Sequence, residues 1–172
     1  FINTESWYTT MKNDYRFNAI RLLCYRPPMN VTGGCTNRCI PIGELTTTTK
    51  TLLDSAVAIT RRNRMYAIID YHPLGGWDST DAITWWTYVA NRYKDETHVL
   101  YEINNEPLGT EGVDPNLPSY ERRMFQLIRG LAPNTHIICW SYAAGTAPAF
   151  DQVRATQGID YSNASVGYHI YG

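Results

Sequence analysis

The sequence predicts an α/β protein built on a buried parallel sheet. Three observations carry that expectation. Five short runs rich in β-branched and aromatic residues are apolar on both faces, the pattern of strands covered on two sides. Segments of helical period separate these runs, so strand and helix alternate along the chain. No linker, low-complexity tract or charge block interrupts the alternation over 172 residues, which fits one structural unit, 1–172, large enough to bury a core.

In chain order, "SWYTTMKNDY" (6–15) reads as the first helix and "FNAIRLLCY" (17–25) as the first strand. A Gly-rich loop follows, in which Cys35 and Cys39 bracket "CTNRC". Leu52, Ala56 and Ile59 form an apolar helical stripe. "YAIIDYH" (66–72) is the second strand, and Pro73, Gly75 and Gly76 break it. Residues 79–93 open on Ser-Thr-Asp, a group suited to capping a third helix. Trp85 and Trp86 within it read as packing, and Asp78 and Asp81 as caps. "HVLYEINNE" (98–106) is the third strand, closed by a Pro-Leu-Gly turn. Tyr120, Met124, Leu127, Ile128 and Leu131 mark the fourth helix. "HIICWSY" (136–142) and "SVGYHIYG" (165–172) complete the strands.

Composition narrows the function. A formal net charge of −1 leaves no basic footprint for nucleic acid. No apolar run reaches the ~20 residues that span a bilayer, and "FINTESWYTT" has neither the charged nor the apolar region of a signal peptide. The 13 Tyr and 5 Trp suit either a core or a protein that stacks flat ligands such as sugars. Four cysteines leave the compartment open. A disulfide joining Cys35 to Cys39, or one of them to Cys24, fits the spacing, and so do free thiols. Cys139 has no close partner in sequence, and no second pair at zinc spacing exists.

In parallel α/β sheets, chemistry collects at the C-terminal ends of the strands. There the sequence places Arg21, His72, Asn105, Glu106, Trp140, Tyr142, His169 and Tyr171. Taken singly, most of them are core residues: an arginine paired with Asp70 or Glu102, histidines hydrogen-bonded in strands. Glu106 stands apart, because a carboxyl at a strand end, preceded by an amide side chain and followed by proline, has a specific chemical use.

Together these motifs resemble glycoside hydrolase family 5, the cellulase family of (β/α)8 barrels among retaining glycosidases. "FNAIRLL" is similar to the family's second strand with its arginine, "MYAIIDYHPLGG" to its third, "VLYEINNEP" to the Asn-Glu-Pro signature of its fourth, and "VGYHIYG" to the His-x-Tyr of its sixth. The resemblance implies that Glu106 is the general acid/base and that Asn105 bonds the sugar 2-hydroxyl. It implies that Arg21 orients the nucleophilic carboxylate, that His72 lines the same subsite, and that His169 and Tyr171 flank the reacting centre. Trp77, after the third strand, becomes a sugar platform. A β-1,4-glucan or related polysaccharide is the implied substrate, with no cofactor or metal, in a secreted protein.

The resemblance also implies what is outside this sequence. A complete barrel takes about 250 residues and eight strands, and only about five of the eight are recognisable here. Strands one, seven and eight, and with them the nucleophilic glutamate that ends strand seven, are not in the chain. Asp70 and Glu102 share side-chain parity with His72 and Glu106 but lie deeper, where pairing with Arg21 is expected, and neither replaces the nucleophile. Three readings follow: a glycanase whose hydrolysis needs strands from elsewhere, a non-catalytic barrel piece that binds carbohydrate or only assembles, and a metal-dependent barrel hydrolase using His72, His169 and Glu106. The sheet edges, "NAIRLLC" and "VGYHIY", are expected to pair with a second copy as a homodimer or with a complementary barrel fragment.

Overall fold

The structure, a computed structural model, describes residues 3–25, 40–42, 45–73, 79–107, 116–143 and 156–169; for Pro41 and residues 141–143 it describes the backbone alone. The elements are α1 (Glu5–Asn13), β1 (Ala19–Tyr25), β2 (Ile40–Pro41), α2 (Thr47–Arg62), β3 (Tyr66–His72), α3 (Ser79–Tyr93), β4 (Val99–Glu102), α4 (Leu117–Leu131), β5 (Ile137–Ala143) and, after a short 3-10 turn, β6 (Ala164–His169). All strands are parallel, in the order β2-β1-β3-β4-β5-β6.

Each expected strand and helix is present, with three corrections. The sheet has a sixth strand: Ile40 and Pro41 pair with Cys24 and Tyr25. Thus β1 is not the bare edge that its sequence implied, since β2 covers its C-terminal end, and Pro41 sits where an edge tolerates a missing donor. Next, β4 ends at Glu102 rather than Glu106, so the Asn-Asn-Glu segment turns away from the ladder. Finally, the α2 stripe is wider than expected: Ala56 and Ile59 are buried as the period implies, Leu53 and Val57 join them, and Leu52 is only partly buried.

The core follows from strand parity. Leu22 and Cys24 of β1, Ala67, Ile69 and Tyr71 of β3, Val99 and Tyr101 of β4, and Ile137 and Cys139 of β5 point to one face and are buried under the helices. There they meet Trp85, Trp86 and Val89 of α3 and Met124, Phe125 and Ile128 of α4. Both tryptophans are indeed packing residues, and the Trp86 indole donates to the Ile103 carbonyl at 3.1 Å. Tyr8 anchors α1 in a separate small cluster with Ile59 and Met65. Among the described residues, Cys24 and Cys139 are buried free thiols. Cys35 and Cys39 lie outside the described residues.

One buried residue breaks the apolar pattern. Glu121 of α4 is fully buried, and neither carboxyl oxygen has a hydrogen-bond partner among the described residues. Burial raises its pKa from 4.5 to about 8, against an opposing pull from the Trp140 main chain and with a lesser rise from the Glu102 charge. Folding therefore keeps the proton that the unfolded chain releases. The stabilisation is complete below about pH 4.5 and is lost as pH rises to about 8. Asp70, raised to about 6 mainly by burial, adds the same sign over a lower window. In urea unfolding across this range, Glu121→Gln should remove a downward slope on the order of 4 kcal/mol. Parallel profiles for the two proteins would refute the buried neutral carboxyl.

Candidate active site

The sheet face opposite the helices carries the polar side chains. Register sets Asp70 of β3 beside Glu102 of β4 and His72 beside Tyr25 of β1. From one pleat lower on β1, Arg21 reaches up between the two carboxyls. Its Nε donates to Glu102 Oε2 at 2.6 Å and its Nη2 to Oε1 at 2.7 Å, a two-point clasp. The same Nη2 lies 3.0 Å from Asp70 Oδ2 and donates to Asn105 Oδ1 at 2.7 Å. Burial works against the charge of Arg21, but the Glu102 bonds and the charges of Asp70 and Glu102 outweigh it and raise the pKa.

An arginine has no acceptor, so Asn105 must turn its carbonyl oxygen to Arg21 and keep its NH2 group for another partner. The Asn105 backbone N–H donates to the Tyr71 carbonyl at 2.9 Å, fastening the turn to β3. Asn104 is fully buried and fastens it to α4, accepting from the Tyr120 hydroxyl at 3.3 Å. These ties hold Glu106 at φ 42°, in the left-handed region that side chains other than glycine avoid. There its Oε1 lies 2.8 Å from His169 Nδ1 at the end of β6. The other nitrogen of His169, Nε2, is 3.7 Å from Glu102 Oε1. His72 directs Nδ1 at Asp70 Oδ2, 2.7 Å away, and stacks on Tyr25 with ring centroids 4.1 Å apart.

The structure thus brings Arg21, His72, Asn105, Glu106 and His169 to one rim through strands β1, β3, β4 and β6. Trp77 and Tyr171 lie outside the described residues, as does the side chain of Tyr142. Trp140 does not belong to the rim: it is fully buried, and its indole donates to the Tyr161 hydroxyl at 2.9 Å. A register shift between Cys139 and Tyr142, with Trp140 at φ 73°, turns it inward. Strand alternation alone could not show that bulge. Tyr25 was missed; its parity with Arg21 was readable, but its stack on His72 needed the register. Among the described residues, no group of three or more His, Cys, Asp or Glu side chains is arranged to hold a metal ion.

Arg21 neutralises two carboxyls that are otherwise buried together. Arg21→Ala should cost about 3–5 kcal/mol of unfolding free energy by removing one partner of a buried ion pair. A loss under about 1 kcal/mol in chemical denaturation, the level of an exposed pair, would mean that the cluster is solvated.

The family model described as Cellulase (glycosyl hydrolase family 5) matches residues 2–172. The chain is similar to Endoglucanase A of Butyrivibrio fibrisolvens, 29% identical over an alignment of 166 residues that covers 94% of this chain and 36% of the relative. Among solved structures it is similar to Cellulase Cel5C_n, with a TM-score of 0.73 and 27% identity over 95% of this chain and 50% of that one. It also shares the fold of the catalytic domain of Thermobifida fusca endoglucanase Cel5A in complex with cellotetraose, with a TM-score of 0.66 and 24% identity over 96% of this chain and 53% of that one. The chain therefore spans about half of the solved barrels and about a third of the curated relative.

Proposed function

The chain belongs to the cellulase family, glycosyl hydrolase family 5, and from that premise we propose that it carries the acid/base half of a retaining endo-β-1,4-glucanase site. Glu106 is the residue on which the reading rests. Its carboxyl leaves the end of β4 in a left-handed turn, one oxygen is held by His169, and the neighbouring Asn105 is aimed by Arg21.

In the first step, protonated Glu106 gives its proton to the glycosidic oxygen as the bond to the anomeric carbon breaks, and a nucleophilic carboxylate takes that carbon. In the second, Glu106 removes a proton from water, which displaces the carboxylate and returns the acid. The two carboxyls must stand about 5–5.5 Å apart for retention. In the family the nucleophile is a glutamate that ends the seventh strand, as the resemblance implies. Glu102 is unsuited to replace it, because Arg21 holds both of its oxygens below the rim. The NH2 group of Asn105 is placed to donate to the sugar 2-hydroxyl, and His72 lines the same subsite. Trp77 and Tyr171 keep their proposed roles as sugar platform and neighbour of the nucleophile. Cellulose-type glucan is the favoured substrate, supported by the cellotetraose bound to the Thermobifida fusca relative. The family is consistent with secretion, and no described helix is long and apolar enough to cross a membrane.

In any active assembly, Glu106→Gln should abolish cleavage of cello-oligosaccharides while sparing activated aryl glycosides, whose leaving groups need little protonation. Equal losses on both would remove Glu106 as the acid.

The exposed apolar surface supports association with further strands. Tyr66, on the same face as Asp70 and His72, is 52% exposed, and Val166 and Tyr168 are open on the helix-side face of β6. We propose that a complementary barrel segment covers these surfaces, or that a second copy does so as a homodimer. Light scattering of the purified chain should show association at micromolar concentration. A compact, stable monomer would count against it.

A further inference from the structure

Asp70 has no part in the chemistry above, yet it is fully buried against the one imidazole of the proposed sugar subsite. We propose that Asp70 is a positioning residue that locks His72 in the Nδ1–H tautomer, with Tyr25 bracing the ring, so that Nε2 accepts a hydrogen bond from a substrate hydroxyl. The inference rests on the glucanase reading for the identity of that substrate.

The proton can be assigned from the neighbours. Asp70 Oδ2 lies 2.7 Å from His72 Nδ1 and 3.0 Å from Arg21 Nη2. Arginine is only a donor, so Oδ2 is an acceptor towards it. Should Asp70 take up a proton, the site left for it is Oδ1, which has no hydrogen-bond partner among the described residues. In either state Oδ2 accepts, and the proton of the short contact belongs to Nδ1. A neutral imidazole with Nδ1–H has a lone pair on Nε2. That nitrogen is on the far edge of the ring from Asp70, in a side chain 12% exposed at the C-terminal end of β3.

The ring is also fixed in orientation. Tyr25 and His72 are register partners across β1 and β3, and their planes are 31° apart at 4.1 Å between centroids. Tyr25 limits tilting of the imidazole plane, and the short Nδ1–Oδ2 contact selects the edge that faces Asp70. The rim therefore has defined polarity: Asn105 offers a donor and His72 an acceptor. A hydroxyl can answer either, whereas a cation or a bare carbonyl would find only one of them useful.

A simpler role for Asp70 is counter-ion to Arg21. The two roles separate in the variants Asp70→Asn and Asp70→Ala. Asn keeps an acceptor oxygen but loses the charge, while Ala loses both. Long-range proton–nitrogen NMR of the full chain at alkaline pH distinguishes Nδ1–H from Nε2–H in each of its 4 histidines, with His72 assigned by its absence in His72→Gln. The wild-type chain and Asp70→Asn should both show Nδ1–H at His72, and Asp70→Ala should shift it towards Nε2–H. Cellotetraose titrations should follow the tautomer, with binding about tenfold weaker in Asp70→Ala, the loss of one hydrogen bond, and nearly unchanged in Asp70→Asn. Nε2–H in the wild-type chain overturns the proposal even if Asp70→Ala fails to fold. So does a tautomer indifferent to Asp70→Ala, or an affinity that falls equally in both variants. A wild-type chain that shows the expected tautomer but binds no cellotetraose would instead overturn the substrate reading.

Discussion

One guanidinium holds the rim together. Arg21 rises from β1 and binds Glu102 on β4 and Asp70 on β3, and through Asn105 it reaches the turn that carries Glu106. Two carboxyls could not stay ionised beside each other in a buried position without it. Removing the carboxyls would in turn leave Arg21 unaimed and Asn105 free to rotate. The side chains that face the rim are thus oriented by a layer in which Asp70 and Glu102 are buried and Arg21 is partly exposed, and the position of that layer is set by strand register.

The same burial produces two unlike carboxylic acids. Asp70 shares one oxygen between a guanidinium and an imidazole, and its pKa stays near 6 despite its burial. Glu121, on the helix side of the sheet, has no such neighbours and is pushed to about 8. Both groups are desolvated, and partners that favour the charged form offset this more at Asp70, beside His72 and Arg21, than at Glu121, where only the Trp140 main chain opposes burial. Glu121 stays buried as a neutral acid beside the bulge of β5, where Trp140 turns away from the rim to bond Tyr161.

The helix-covered face and the rim face follow different rules. On the helix face of β1, β3, β4 and β5, apolar residues alternate and fill one continuous core, while Val166 and Tyr168 of β6 stay exposed. On the other, apolar Tyr66 lies at the lower end and the ionised cluster at the upper, so the face is neither a wet surface nor a finished core. The sheet spans about half of the solved barrels it resembles.

The sequence alone determined the alternation of strands and helices, because hydrophobic period is a local property written in consecutive side chains. It placed β3 and α3 at their observed bounds, and the Asn-Glu-Pro and His-x-Tyr spacings marked Glu106 and His169. Tertiary structure decided the rest. The two-residue strand β2 is too short to have a period of its own and exists only by pairing with β1. The inward turn of Trp140 comes from a bulge, which reverses the facing that alternation implies. Glu121 occupies a polar-looking helix position that packing happens to bury. The grip of Arg21 on Asn105 and the packing of Tyr25 on His72 join residues from separate strands. Such contacts depend on register, and register is fixed only when the whole sheet has closed over its core.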